Sequence, residues 1–194
     1  QIGLQRISRG DTLPPKPDVH ETVANGWVGD PLDLATRLQI EQVRTNRLRV
    51  RTSLLVLHAV GAAAIAERDR SRFEHLLEAT MLNGLLRTSD TLYRTAHPGT
   101  WIVVLPATPE ESAAVVKSRI ETFLGAMRFG GLRQFRLAVF APQKPGAPFT
   151  PLLADIALWL GRETGVDVEL GLPATPRAHA LDDAIGLAKR LCVE

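Results

Sequence analysis

One stretch near the middle of the chain limits the folds open to it. Leu86 closes an apolar-periodic run, and Arg87-Thr88-Ser89-Asp90 is a short polar turn. Thr91 to Thr95 reads as a strand, Ala96-His97-Pro98-Gly99 as a tight turn, and Thr100 to Leu105 as a second strand rich in β-branched residues. A hairpin set between two helical segments requires a sheet whose other strands come from elsewhere in the chain. The two turns carry the polar chemistry of the stretch. Arg87 and Asp90 stand three apart in the first, which places a guanidinium and a carboxylate on one side of the backbone. The second holds His97 and no acid.

The flanking sequence supplies the rest of the sheet and its cover. Residues 1–29 show no period, and Asp11 to Asp18 is linker-like, with prolines that block helix and sheet hydrogen bonding. Asp30-Pro31 reads as a helix cap and first position, and Leu34, Leu38, Ile40 and Val43 form an apolar stripe to about Asn46. Leu48 to Ala59 is predicted as a strand whose apolar half, Leu54 to Leu57, is covered on both faces. A long helix is predicted from Ala62 to Leu86, with Phe73, Leu76, Leu77, Met81, Leu82 and Leu85 at helical spacing. Beyond the hairpin, Thr108-Pro109-Glu110-Glu111 starts a helix to about Met127. A strand over Arg133–Ala141, a helix over Thr150–Arg162, a short strand over Val166–Leu170 and a closing helix over His179–Leu191 complete the reading. Helices alternating with strands around one hairpin give an α/β (α+β) fold: a mixed central sheet flanked by helices.

Composition narrows the setting. A net charge of +2 over 194 residues is too small to argue for nucleic acid or a membrane surface. Cys192 is the only cysteine, which excludes an internal disulfide and a thiolate metal cluster and fits a reducing cytoplasm. No apolar run reaches membrane-spanning length, so direct membrane insertion is not expected. The chain begins at Gln1, and the expectation is a cytoplasmic domain of a larger or membrane-associated protein.

In order, these segments resemble the GGDEF domain, the diguanylate cyclase fold. Asp30-Pro31-Leu32-Asp33-Leu34-Ala35-Thr36-Arg37 is similar to the family's opening D-x-L-T-G-L-x-N-R, and Leu54 to Leu57 to its first core strand. Arg87-Thr88-Ser89-Asp90 with Arg94 resembles the R-x-x-D…R run before the signature hairpin. Val103 to Glu111 resembles the strand and helix start after it, and Ala154 to Trp159 the late A-D-x-A-L-Y helix. The resemblance implies a domain over residues 30–170, an extension over 1–29 and an appended helix over 171–194.

The departures bear on function. The signature G-G-[DE]-E-F stands here as Ala96-His97-Pro98-Gly99-Thr100-Trp101, with an inserted residue and no acid. The family holds its metal ions with carboxylates from the first strand and this hairpin; His58 stands at the first-strand position. Arg162 replaces a Lys, Val166 a basic residue, and the segment after the first strand is short and Ala-rich. The resemblance with these losses implies no enzyme, no catalytic residues, no cofactor and no metal. What it retains implies a cyclic di-GMP site at Arg87 and Asp90, with a further Arg from the following helix that falls on Arg119. A guanidinium fork meets guanine O6 and N7, and a carboxylate accepts from N1–H and the exocyclic amine. Such a receptor regulates a protein partner or neighbouring domain in bacterial biofilm, exopolysaccharide or motility signalling, and the ligand can bridge a homodimer. The alternatives are a ligand-free dimerisation or protein-interaction module, and a residual GTP-binding regulator. His58 and His97 lack a third ligand at a recognisable metal spacing and read as a core histidine and a hairpin polar residue. Trp101 and Trp159 read as core, and Cys192 as a small hydrophobe on the closing helix.

Overall fold

The computed structural model describes residues 28–29, 31–126, 134–168 and 170. The linker up to residue 27, the Asp30 cap, and the closing helix with Cys192 lie outside the described residues. In chain order the elements are β1 (Val28–Gly29), α1 (Pro31–Leu48), β2 (Ser53–Ala59), α2 (Glu67–Thr80), β3 (Thr91–Arg94), β4 (Thr100–Leu105), α3 (Glu110–Ala126), β5 (Phe135–Phe140) and α4 (Thr150–Thr164).

The strands form one mixed sheet in the order β1-β3-β4-β2-β5. Only the β1–β3 pair is parallel; β3–β4, β4–β2 and β2–β5 are antiparallel. Every residue of β2 and β4 is buried, as expected of central strands covered on both faces. Alternation along them divides the core into two layers. Leu55, Leu57, Trp101, Val103 and Leu105 face α2 and α3, meeting Phe73, Leu77, Met81 and Ile120. Leu54, Val56, Ile102 and Val104 face α1 and α4, meeting Leu34, Leu38, Ile156 and Leu160.

Several boundaries differ from the sequence reading. The first strand starts at Ser53 rather than Leu48, because α1 continues to Leu48 and Arg49 turns the chain in the left-handed region at φ 55°. The long helix is interrupted: a 3₁₀ turn over Ala62–Ala64 precedes α2, and a π-helical turn over Met81–Leu85 follows it. The widened turn is closed by the Leu86 N–H donating to the Met81 carbonyl at 2.9 Å. No strand forms over the described part of 166–170. On α1, Val43 is exposed while Glu41 and Thr45 are buried. Glu41 is tolerated there because Arg37 (3.0 Å), Arg44 (2.9 Å) and the Thr52 hydroxyl (3.0 Å) all meet its carboxylate. Likewise Leu76 on α2 is exposed, and Glu74 and Glu78 turn inward.

The edge strand β1 has no sequence signature. Two residues are too few for a period, and Gly29 is there for contact: a Cβ on it would lie 2.5 Å from the Tyr93 ring. That close approach seats β1 on β3.

Candidate functional site

The antiparallel register gives the sheet two ends. Ala59, Phe135, Arg94 and Thr100 lie at one; Ser53, Phe140, Thr91 and Leu105 lie at the other. The β3–β4 hairpin tip closes the first end. The Arg87–Asp90 turn, which leads into β3, belongs to the second.

At the second end, the turn is built by Asp90. Its carboxylate Oδ2 accepts the Arg87 backbone N–H at 2.9 Å, and its own N–H donates to the Arg87 carbonyl at 3.0 Å. Oδ1 accepts the Ser89 hydroxyl at 3.4 Å. Asp90 is buried, whereas the Arg87 side chain is exposed and has no hydrogen bond or ion pair with the described residues. A side-chain Arg87–Asp90 ion pair is therefore not what holds this turn. Arg119, on the exposed face of α3, donates through Nη2 to the Leu85 carbonyl. The three residues named from the sequence thus converge on one segment: Arg119 touches its entry, Asp90 holds its loop, and Arg87 projects from it. The π-helical turn over Met81–Leu85 brings the Leu85 carbonyl to the edge where Arg119 reaches it.

At the first end, the polar groups satisfy one another. Glu78 on α2 receives Arg94 Nε and Nη2 at 2.9 and 2.8 Å and the Trp101 indole N–H at 2.8 Å. Glu74, one turn earlier, accepts the Gly99 N–H at 3.2 Å and lies 3.9 Å from Arg94. The Gly99 carbonyl accepts the Ala59 N–H at 2.8 Å, so the tip is fastened to both α2 and β2. Gly99 sits at φ 66°, and a Cβ there would stand 2.2 Å from the Ala62 Cβ. The Thr95 hydroxyl spans the tip, bonding the His97 and Thr100 carbonyls at 3.2 Å each. His58 Nδ1 lies 2.9 Å from the buried Thr100 hydroxyl, and its ring centroid is 5.6 Å from that of His97. Burial, then the neighbouring His97, lowers the His58 pKa to about 4; burial also lowers that of His97. Both rings are neutral near pH 7.

The sequence reading missed Glu74 and Glu78. Their signal was present: two acids four apart, directly beside Phe73 and Leu77 on the apolar face of α2. An acid at an apolar helical position requires a partner. Arg94, Trp101 and the Gly99 N–H are those partners.

No family model and no curated protein matches the sequence. The fold does match solved structures. A diguanylate cyclase (DGC) protein from Thermotoga maritima superposes with a TM-score of 0.53 at 14% identity, over 72% of this chain and 98% of that one. The isolated GGDEF domain of TpbB (YfiN) from Pseudomonas aeruginosa gives 0.52 at 19% identity, over 82% and 96%. Diguanylate cyclase SiaD from the same organism, in complex with its activator SiaC, gives 0.51 at 19% identity, over 71% and 56%. The fold is that of a GGDEF domain. Within the GGDEF-like fold, the hairpin end is where the resemblance places a metal pair, and the donors present do not fit one. His58 is a buried neutral imidazole bonded to Thr100, and the tip offers no carboxylate. The nearest acids, Glu74 and Glu78, are already engaged. Among the described residues no group of three or more His, Cys, Asp or Glu is placed to hold a metal ion.

Proposed function

We propose that this GGDEF-like chain is a catalytically inactive receptor for cyclic di-GMP, bound at the Arg87 turn. The observation that carries the reading is the contrast within that turn. Asp90 and Arg119 are spent on shaping it, and the Arg87 guanidinium is left exposed. A rigid turn presenting a planar five-donor fork suits the O6/N7 edge of a guanine or a phosphate. Arg119, reaching over from α3, adds a second guanidinium at the entry to the turn. The Oδ1 oxygen of Asp90, met among the described residues by Ser89 at 3.4 Å alone, is the acceptor left for guanine N–H groups. Catalytic inactivity follows in this reading from the acid-free hairpin tip and the neutral His58, which cannot assemble the cation clamp of phosphoryl transfer. The regulated partner or neighbouring domain, a ligand-bridged homodimer and a cytoplasmic setting belong to the same proposal. Among the described residues no helix is long and apolar enough to cross a membrane.

Calorimetric titration of cyclic di-GMP tests it. The wild-type chain binds in the micromolar range or tighter, and Arg87→Ala loses that binding with its melting temperature unchanged. Asp90→Ala is the poorer probe, because it also removes the acceptor that fixes the Arg87 N–H. Wild-type protein that gives neither heat nor a thermal shift at saturating nucleotide overturns the reading. GTP turnover in the presence of Mg²⁺ overturns its inactive half.

A further inference from the structure

The net charge of +2 is too small to direct the chain to an anionic surface if it is spread evenly, but the structure gathers it. Where α1 runs out and the chain turns into β2, Arg44, Arg47, Arg49 and Arg51 fall within eight residues. Lys144 lies on the loop that follows β5. That loop is fastened to α1: Gln42 Nε2 donates to the Gly146 carbonyl at 2.7 Å, and Gly146 packs against Asn46. All of these groups therefore lie at one end of the sheet. From Gln42 to Ala66 the sequence has no acid, and Glu41 is buried between Arg37 and Arg44. Asp90, Glu110 and Glu111 flank β3 and β4, on the other side of the sheet order from β5.

Two further observations distinguish this edge from a merely solvated basic face. First, aliphatic residues alternate with the bases in Arg47-Leu48-Arg49-Val50-Arg51, and they are not all tucked away. Leu48 is 62% exposed, and Val43, one turn before Arg47, is 50% exposed. Second, Arg49 occupies the left-handed position after the helix, where glycine or asparagine is favoured. The chain thus keeps a left-handed backbone within the exposed Arg47-Leu48-Arg49 segment.

The geometry points to this edge as a peripheral docking surface for an anionic phospholipid bilayer. Guanidinium groups meet the lipid phosphates, and Leu48 and Val43 enter the headgroup boundary. Charge complementarity names an anionic partner, and the exposed aliphatic side chains name a lipid one. A polynucleotide surface interleaves its bases with aromatic stacking platforms, and no Phe, Tyr or Trp lies between Gln39 and Arg72. The docking is interfacial and needs no membrane-crossing helix. It is independent of the nucleotide reading, since Arg87 takes no part in it.

Co-sedimentation of the full chain with lipid vesicles tests the inference. It binds vesicles of equal parts phosphatidylcholine and phosphatidylglycerol, and the binding falls as salt rises. Vesicles of phosphatidylcholine alone leave it in the supernatant. The Arg47→Glu/Arg49→Glu double variant loses about 100-fold in affinity, from the per-charge attraction of such surfaces. Leu48→Ser loses about tenfold through the apolar contact. Arg49→Gly removes one charge while relieving the left-handed strain, so it binds vesicles more weakly yet melts higher. Absence of binding to the anionic vesicles at low salt overturns the inference, as does binding that none of these variants changes. Capture of a single-stranded oligonucleotide through Arg47 and Arg49, indifferent to Leu48→Ser, also overturns it and assigns the surface to nucleic acid.

Discussion

The two turns that bound β3 both carry polar residues, and the structure uses them in opposite ways. At the hairpin tip the polar groups are engaged with one another. Arg94, Trp101, Glu74, Glu78, Gly99, Thr100 and His58 form a continuous set of internal contacts that ties β3 and β4 to α2 and β2. At the Arg87 turn the Asp90 carboxylate, the Ser89 hydroxyl and the backbone are used internally, and the Arg87 guanidinium is left to solvent. The difference teaches how one fold can convert a position into scaffold while keeping another available for a ligand. A residue whose hydrogen bonds are all internal contributes to stability. A residue held in place by its neighbours, with its own donors free, can contribute to binding.

That contrast makes predictions that separate stability from binding. The largest effect on stability is at Gly99. Gly99→Ala forces a Cβ against Ala62 in a left-handed backbone and costs about 3–4 kcal/mol in chemical denaturation. Arg94→Ala leaves the Glu78 carboxylate with the indole N–H alone and costs about 2–3 kcal/mol. A Glu78→Gln partner change that restores most of that loss would confirm that the cost is an unpaired buried charge. Both variants keep their affinity for cyclic di-GMP, provided the measurement is made below their melting temperatures.

Acid acts on the same end. His58 has a folded pKa of about 4 against an ordinary 6.5, so the unfolded chain takes up its proton first as pH falls. Stability is therefore full above about pH 6.5, declines between there and 4, and has lost about 2 kcal/mol at pH 5 relative to pH 7. His97, shifted in the same direction, adds to the slope. A His58→Gln variant flattens the decline, which urea melts across that range would show; an unchanged slope would mean that other groups carry it. The smallest effect belongs to Arg119. Arg119→Ala loses one hydrogen bond to the Leu85 carbonyl, about 1 kcal/mol of stability, and weakens nucleotide binding by about tenfold.

Much of this fold was legible before any coordinates. Strand β4 matches its expected span, Thr100–Leu105, because a β-branched run is bounded by Gly99 and Pro106. Helix α4 ends two residues beyond expectation, at the left-handed Gly165. The misses at the buried acids and at β1 share a cause: each depended on a contact from a distant part of the chain. Glu74 and Glu78 stand beside Phe73 and Leu77 on the apolar face of α2, but the partners that let these two acids and Glu41 turn inward cannot be read from periodicity. Their partners Thr52, Arg94 and Trp101 lie outside the helices that carry the acids. Strand β1 exists only through its pairing with β3. At the candidate site, the grouping of Arg87, Asp90 and Arg119 followed from the family resemblance. The division of labour among them did not, because it rests on a backbone N–H that Asp90 accepts and a carbonyl that Arg119 meets.

The most direct test of the contrast is a residue-resolved one: amide chemical shifts of the ¹⁵N-labelled chain followed as cyclic di-GMP is added. The account predicts that Leu85 to Asp90 and Arg119 move together and saturate, while Ala96 to Thr100 stay in place. Shifts centred on His97 to Thr100, with the Arg87 turn unmoved, would contradict it.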